Sequence, residues 1–313
     1  MPEKTAHDVN AARAQTEPSE DYVAWFRASL PYINAHRGKL FVLMIGGEAI
    51  AQQSFANIIH DIALLNTLGV RLIIVHGSRP QVEQRLTARA LPSAFHQGLR
   101  ITDQAALTCV IDAAGALRAE LEALLSMGLA NSPMHHARIR VASGNYVVAQ
   151  PMGVVDGVDF QYTGEIRRID KSGIEQQLTQ GSIVVIGPLG YSPTGEIFNL
   201  NMEEVATQVA TRLGAEKLIA FGKHTGIIDN EQQLCRELTL QAAQQVARQT
   251  LPEQQSRLFQ ALLRSSGAGI DRCHLISYLD DGALLMDQAA AAIATPTRVS
   301  GSPLLTTLAV FSN

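Results

Sequence analysis

The sequence is poor in charge, in aromatic residues and in cysteine. Of its 313 residues 17% are charged and 5% aromatic, with 25 basic against 29 acidic side chains and a formal net charge of −4. That balance offers no basic surface to neutralise a phosphate backbone, so no nucleic acid is expected as a partner. Cys109, Cys235 and Cys273 stand far apart and form no CxxC pair. This spacing excludes a disulfide framework and points to buried or free thiols in a reducing cytoplasm. No apolar run reaches the ~18 residues of a membrane span, and Met1 to Glu20 lack the apolar core of a signal peptide. A cytoplasmic protein without membrane contact is expected. GxxxxGK[ST], GxGxxG after a strand, HExxH and GxSxG are all missing. His135-His136 has no acidic or cysteine partner at ligand spacing, so it reads as a surface pair and no metal site is expected.

What the chain has is apolar residues, 46% of the total, enough to build a sizeable core. Residues 1–20 read as a flexible tail. Residues 21–38 put Val23, Phe26, Leu30 and Ile33 at helical spacing, with Pro31 as a kink. Such a stripe must be buried, on its own domain or on a neighbouring subunit. From Leu40 to Ile45 a continuous apolar run ends at Gly46-Gly47, helical spacing follows from Phe55 to Leu68, and Arg71 to Val75 ends at His76-Gly77 before a helix near Pro80. Strands that are apolar throughout, alternating with helices, predict βαβ units on a mostly parallel sheet covered on both faces. Further strands are expected at 136–141, 146–150, within 153–166, and at 182–186, 217–221 and 273–276. Further helices are expected at 202–212, 241–248, 254–263 and 282–286. Residues 39–287 form the main domain in this reading, and 288–313 a weakly ordered tail.

Ligands in such sheets sit outside the carboxyl ends of the strands. Three turns belong there: Gly46-Gly47, His76-Gly77-Ser78-Arg79 and Gly187-Pro188-Leu189-Gly190. Glycines let backbone N–H groups approach an anion, although a tight turn needs them equally. Arg79 and Arg100 suit a carboxylate, since the guanidinium fork binds it in bidentate fashion; a surface role is the alternative. Asn199 and Asn201 offer amides either to a polar ligand or to the cap of the helix at Met202, and Thr102 or Asp103 is placed to cap another helix.

The order of these segments resembles the amino acid kinase family, and within it the N-acetylglutamate synthases of bacterial arginine biosynthesis. Phe26-Arg-Ala-Ser-Leu-Pro-Tyr-Ile-Asn-Ala-His-Arg-Gly38, Met44-Ile-Gly-Gly-Glu-Ala-Ile50, His76-Gly-Ser-Arg-Pro-Gln81, Arg100-Ile-Thr-Asp103 and Ser143-Gly-Asn145 carry the resemblance. Gly164-Glu-Ile-Arg-Arg-Ile-Asp170, Thr194-Gly-Glu-Ile-Phe-Asn-Leu200, His274-Leu-Ile-Ser-Tyr278 and Asp281-Gly-Ala-Leu-Leu285 continue it over about residues 22–287. It implies a three-layer αβα sandwich. Kinase members place one lysine on the first strand and one on a later helix against the transferring phosphoryl group, where positive charge is the main catalytic device. Here those positions fall at Met44 and near Leu258, with Arg257 adjacent but expected to point elsewhere. Phosphoryl transfer is therefore not expected, and Gly46, Gly47, Gly77, Arg79, Arg100 and Asn199 become a vestigial phosphate and substrate site without catalytic residues.

In the synthases a following acetyltransferase domain of the GNAT type moves the acetyl group of acetyl-CoA to glutamate. That domain is expected to be absent from this chain, which then needs no cofactor and has no acetyltransferase activity of its own. Arginine-sensitive members bind L-arginine near the N-terminal helix, and the matching positions are Tyr32, Lys217, Ser277, Asp280, Asp281 and Gly282. Carboxylates suit the guanidinium there, while a helix N-cap is the alternative for Asp280-Asp281. Glutamate or acetylglutamate is a further ligand by resemblance, and interlaced N-terminal helices imply a homo-oligomer, a hexamer. Two other readings stand beside this one: an ATP-dependent acetylglutamate kinase, and a stand-alone arginine sensor or assembly subunit.

Overall fold

The apolar runs of the sequence become the centre of one sheet. A computed structural model describes residues 33–126, 139–224, 226–228, 234–235, 237–247, 251–285 and 307–309, with single positions at 27, 30 and 31. The first half contains β1 (Leu40–Ile45), α1 (Gly47–Ile50), α2 (Phe55–Thr67), β2 (Arg71–His76), α3 (Arg79–Ala88), β3 (Ala94–His96), β4 (Leu99–Ile101) and α4 (Gln104–Ser126). Next come β5 (Arg140–Ser143), β6 (Val147–Pro151), β7 (Val154–Val155), β8 (Val158–Asp159), β9 (Gly164–Ile169), α5 (Lys171–Thr179) and β10 (Ser182–Ile186). A hairpin of β11 (Leu189–Tyr191) and β12 (Ile197–Asn199) leads to α6 (Met202–Leu213), β13 (Lys217–Gly222), β14 (Ile227–Ile228), β15 (Leu234–Cys235) and β16 (Glu237–Thr239). The described chain closes with α7 (Leu240–Val246), α8 (Glu253–Gly267), β17 (Arg272–Ser277) and β18 (Thr307–Ala309).

The main sheet has the order β16-β18-β17-β13-β1-β2-β10-β5. From β17 to β5 every pairing is parallel. Only the β16–β18 pair is antiparallel. All six residues of β1 and all six of β13 are buried, as expected of central strands covered by helices on both faces. One face carries Val42, Met44, Ile73, Val75, Leu218 and Leu275 against α6 and α8. The other carries Phe41, Leu43, Leu72, Ile74, Ile219 and Phe221 against α2 and α4. Each fully buried Leu, Ile or Phe contributes about 1.5–3 kcal/mol. A smaller sheet, β12-β11-β6-β9, stands beside the carboxyl edge.

Some elements differ from expectation. The 23 residues of α4 are not apparent in the hydrophobic pattern. Ala106, Cys109, Ala113 and Ala114 fill much of its buried face, and small residues give a weak periodic signal. Its start was legible: the Asp103 carboxylate accepts the Ala106 N–H at 2.7 Å. Helix α8 starts at Glu253 and runs past 263 to Gly267; the C-terminal extension was hidden because Ser265 and Ser266 are buried although polar. The strand expected at 136–141 begins at Arg140, and 136–138 lie outside the described residues. The hairpins β3–β4 and β11–β12 and helix α5 are additional. Of the N-terminal helix, residues 33–36 are helical. His135-His136 and most of 288–313 lie outside the described residues.

Candidate functional site

Neighbouring strands β1, β2 and β10 deliver their carboxyl ends to one corner. Gly46, Gly47, Gly77, Arg79, Arg100 and Asn199 all line a single cleft there, with Asn201, Met202, Glu203 and Arg257 closing it. The glycines serve close approach rather than unusual backbone angles. Gly46 has φ −66° and caps α1 directly. A Cβ on Gly77 would meet the Met202 sulfur at 2.8 Å and stand 3.6 Å from the Gly46 Cα. Strand end and helix start therefore stand close, and a Cβ on Gly77 would have to displace the Met202 side chain.

The cleft is largely filled by its own side chains. Arg79 donates from one nitrogen to Glu253 Oε1 at 2.8 Å and from the other to the Gly98 carbonyl at 3.1 Å. Arg257 donates to Glu203 Oε1 at 3.1 Å and also to Glu253. Burial first, and then the neighbouring Arg257 charge, lowers the Arg79 pKa, with Glu203 and Glu253 opposing. The cavity that remains is about 80 Å³, well below the ~300–1,000 Å³ of ordinary ligand pockets. Arg257 therefore faces the cleft, which corrects the expectation that it points elsewhere. Pairing with Glu203, the second residue of α6, draws it in, and no spacing in the sequence links those two residues. Leu258, beside it, is 3% exposed and joins the apolar core.

Arg100 is also engaged. It donates to Ser93 Oγ at 2.9 Å and pairs with Glu83, and its guanidinium lies 4.6 Å from the Phe95 ring centroid. The Asn199 amide donates to Thr102 Oγ1 at 2.9 Å, while Asn201 caps α6 by accepting the Glu204 N–H at 2.9 Å. Met44 is fully buried in the apolar cluster on the α6–α8 face.

The positions matched to arginine binding fall into two groups. Lys217 opens β13, fully buried, with Nζ 5.1 Å from the Phe41 ring centroid. Ser277 closes β17, in register with Gly222 rather than Lys217, so about 17 Å of strand separates them. Ser277 Oγ accepts the Leu279 N–H at 3.0 Å and donates to the Lys223 carbonyl at 3.2 Å. Asp280, Asp281 and Gly282 follow in that turn; Gly282 has φ +70°, and residues 283–285 are helical. The Ala283 N–H is bonded to the Asp280 backbone carbonyl. Tyr32 lies outside the described residues. Asp61 on α2 is a neighbour that sequence reasoning missed: burial, and then the Asp281 charge, raises its pKa to about 7. Nothing in the spacing relates two carboxylates 220 positions apart.

A parallel αβα sandwich with a glycine-floored cleft at its carboxyl edge defines the class, that of kinase-like small-molecule folds. The chain belongs to the amino acid kinase family, whose model matches residues 39–266. It is 54% identical over 267 residues to an amino-acid acetyltransferase of Ectopseudomonas mendocina, covering 85% of this chain and 62% of that one. Among solved structures it resembles the N-acetylglutamate synthase from Neisseria gonorrhoeae complexed with coenzyme A and L-arginine, at 34% identity and TM-score 0.77, covering 84% of this chain and 62% of that one. Against the same enzyme complexed with coenzyme A and N-acetyl-glutamate the values are 32% and 0.79, covering 93% and 64%. The chain thus spans a little under two thirds of the length of these relatives. Among the described residues no helix is long and apolar enough to cross a membrane, and no group of His, Cys, Asp and Glu gathers to hold a metal.

Proposed function

We propose that residues 39–287 are the regulatory, arginine-binding half of an N-acetylglutamate synthase, the enzyme that forms N-acetylglutamate from acetyl-CoA and glutamate. The observation that carries this is the 54% identity with an amino-acid acetyltransferase. The cleft adds a chemical reason. Met44 supplies no charge to a phosphoryl group, and Arg257 is committed to Glu203 and Glu253. The cleft is therefore a structural relic that carries out neither phosphoryl nor acetyl transfer. No cofactor is required by this half, and the cytoplasm is its compartment.

L-arginine is the ligand in this reading, with Asp280 and Asp281 facing its guanidinium and Tyr32, Lys217, Ser277 and Gly282 completing the set. The Asp281 charge adds to burial in raising the Asp61 pKa, and a guanidinium beside the two carboxylates would favour the ionised Asp61. Glutamate or acetylglutamate binds as a further ligand. The N-terminal helix packs on a neighbouring subunit of a homo-oligomer, a hexamer; Leu30 of its apolar stripe is 43% exposed in the single chain.

Calorimetry of the purified chain with L-arginine, acetylglutamate and ATP tests the assignment. Saturable arginine binding is expected, weakened at least ~10-fold by Asp281→Asn, which is about 1.4 kcal/mol. Absence of arginine binding, or ATP-dependent phosphorylation of acetylglutamate, would overturn it.

A further inference from the structure

The run Ile166-Arg167-Arg168-Ile169 on β9 breaks strand alternation. In a regular strand Ile166 and Ile169 face opposite sides. Here Ile169 is buried in the core cluster and Ile166 packs against the same cluster. The register explains how: Val148 pairs with Arg168 and Ala149 with Ile166, so Arg167 is the extra residue of a β-bulge. The bulge turns both guanidiniums toward one cleft of about 430 Å³, completed by Val148, Ile169, Pro193 and Arg212. Arg212 comes from the last turn of α6.

Among the described residues no carboxylate lines this cleft. Among the described residues none of the three arginines has a carboxylate within ion-pair distance. Asp170 follows β9 directly, but its carboxylate caps α5 by accepting the Gly173 N–H at 3.2 Å and takes the Ser172 hydroxyl at 2.9 Å. Arg168 reaches it only as a weak charge effect. The C-terminal dipole of α6 accounts for Arg212, yet not for a strand deformed to aim two more arginines at the same space. In a chain of net charge −4, this is a local concentration of positive charge that no described carboxylate neutralises.

We propose that this cleft binds a ligand carrying two or more adjacent phosphate groups. Guanidinium forks bind phosphate oxygens in bidentate fashion, and three of them match a compact diphosphate better than a dicarboxylate, which carries only two charges.

Titration calorimetry of the full chain with inorganic pyrophosphate, and separately with ADP, tests this. One-to-one binding is expected, at least ~10-fold weaker in Arg167→Gln and in Arg168→Gln, and not displaced by equimolar succinate. Both side chains are exposed, so both variants should keep the parent's melting temperature. Tighter binding of ADP assigns a phosphate ester, and binding of pyrophosphate alone assigns a free polyphosphate. Absence of saturable binding of either probe overturns the proposal. So does binding that survives Arg167→Gln, Arg168→Gln and Arg212→Gln and is lost in Arg79→Gln, which would place the anion in the glycine-floored cleft instead.

Discussion

The two faces of the central sheet bury different chemistry. Toward α6 and α8 the strands present Val42, Met44, Ile73, Val75, Leu218 and Leu275, an apolar cluster joined by the buried Cys273 thiol. Toward α2 and α4 the same strands present Lys217, His274 and His76 among the apolar side chains, each at most 1% exposed. Near Lys217, the His36 ring stands edge-on to Phe41 at 5.4 Å. Kinase chemistry asks for a cation on β1 beside the glycine cleft; this chain has methionine there and buries a lysine, Lys217, one strand away on the opposite face. The two faces of one sheet thus differ in where they admit a basic side chain.

Met44→Lys is the harshest test of that contrast. It places an uncompensated charge in the apolar face and is expected to destabilise the domain by about 3–5 kcal/mol in urea unfolding. A stable variant that phosphorylates acetylglutamate would erase the difference between the faces. The pH response probes the other face. Burial pushes His76 down to about 4, so between that value and the ordinary 6.5 the unfolded chain binds a proton that the folded chain does not. Stability is full above about pH 6.5 and falls by about 3 kcal/mol on descending to pH 4. Melting curves across that range should flatten in His76→Gln; an unchanged slope would mean that other groups dominate.

Smaller effects separate the cleft from both cores. Arg257→Gln leaves the nearly buried Glu203 without its cation and should cost about 2 kcal/mol in denaturant midpoint analysis. A neutral result would show that solvent replaces the network freely. Asp61 works in the opposite direction to His76. Its raised pKa means that the folded chain holds a proton which the unfolded chain releases above about pH 4, so ionisation reduces stability as pH rises through 7. Asp61→Asn should therefore raise stability by about 1 kcal/mol at pH 8, after allowing for solvent screening, and by little at pH 4. Saturating arginine should shrink that gain if the guanidinium sits between Asp61 and Asp281.

The elements with strong local signals were legible. Leu40–Ile45 is a run of six apolar residues, and Gly214 with φ +63° stops α6 as a glycine after a periodic segment should. Helix α4 was hidden, because alanine stripes read as composition rather than period. The convergence of Gly46, Gly77 and Pro188 on one cleft followed from parallel topology alone. The partners inside the cleft did not follow, since Arg79 meets Glu253, and Arg257 meets Glu203, across more than fifty positions.

Sequence by itself determined the sheet, the missing charge at Met44 and the membership of the family, because each rests on local pattern or on residues taken one at a time. Tertiary structure decided which face each ionisable side chain occupies, that Arg257 closes the cleft, that Lys217 stands apart from Ser277, and that a bulge aims Arg167 beside Arg168. Those are questions of register and packing. A shift of one residue along a strand reverses every side chain, and no composition or spacing records such a shift.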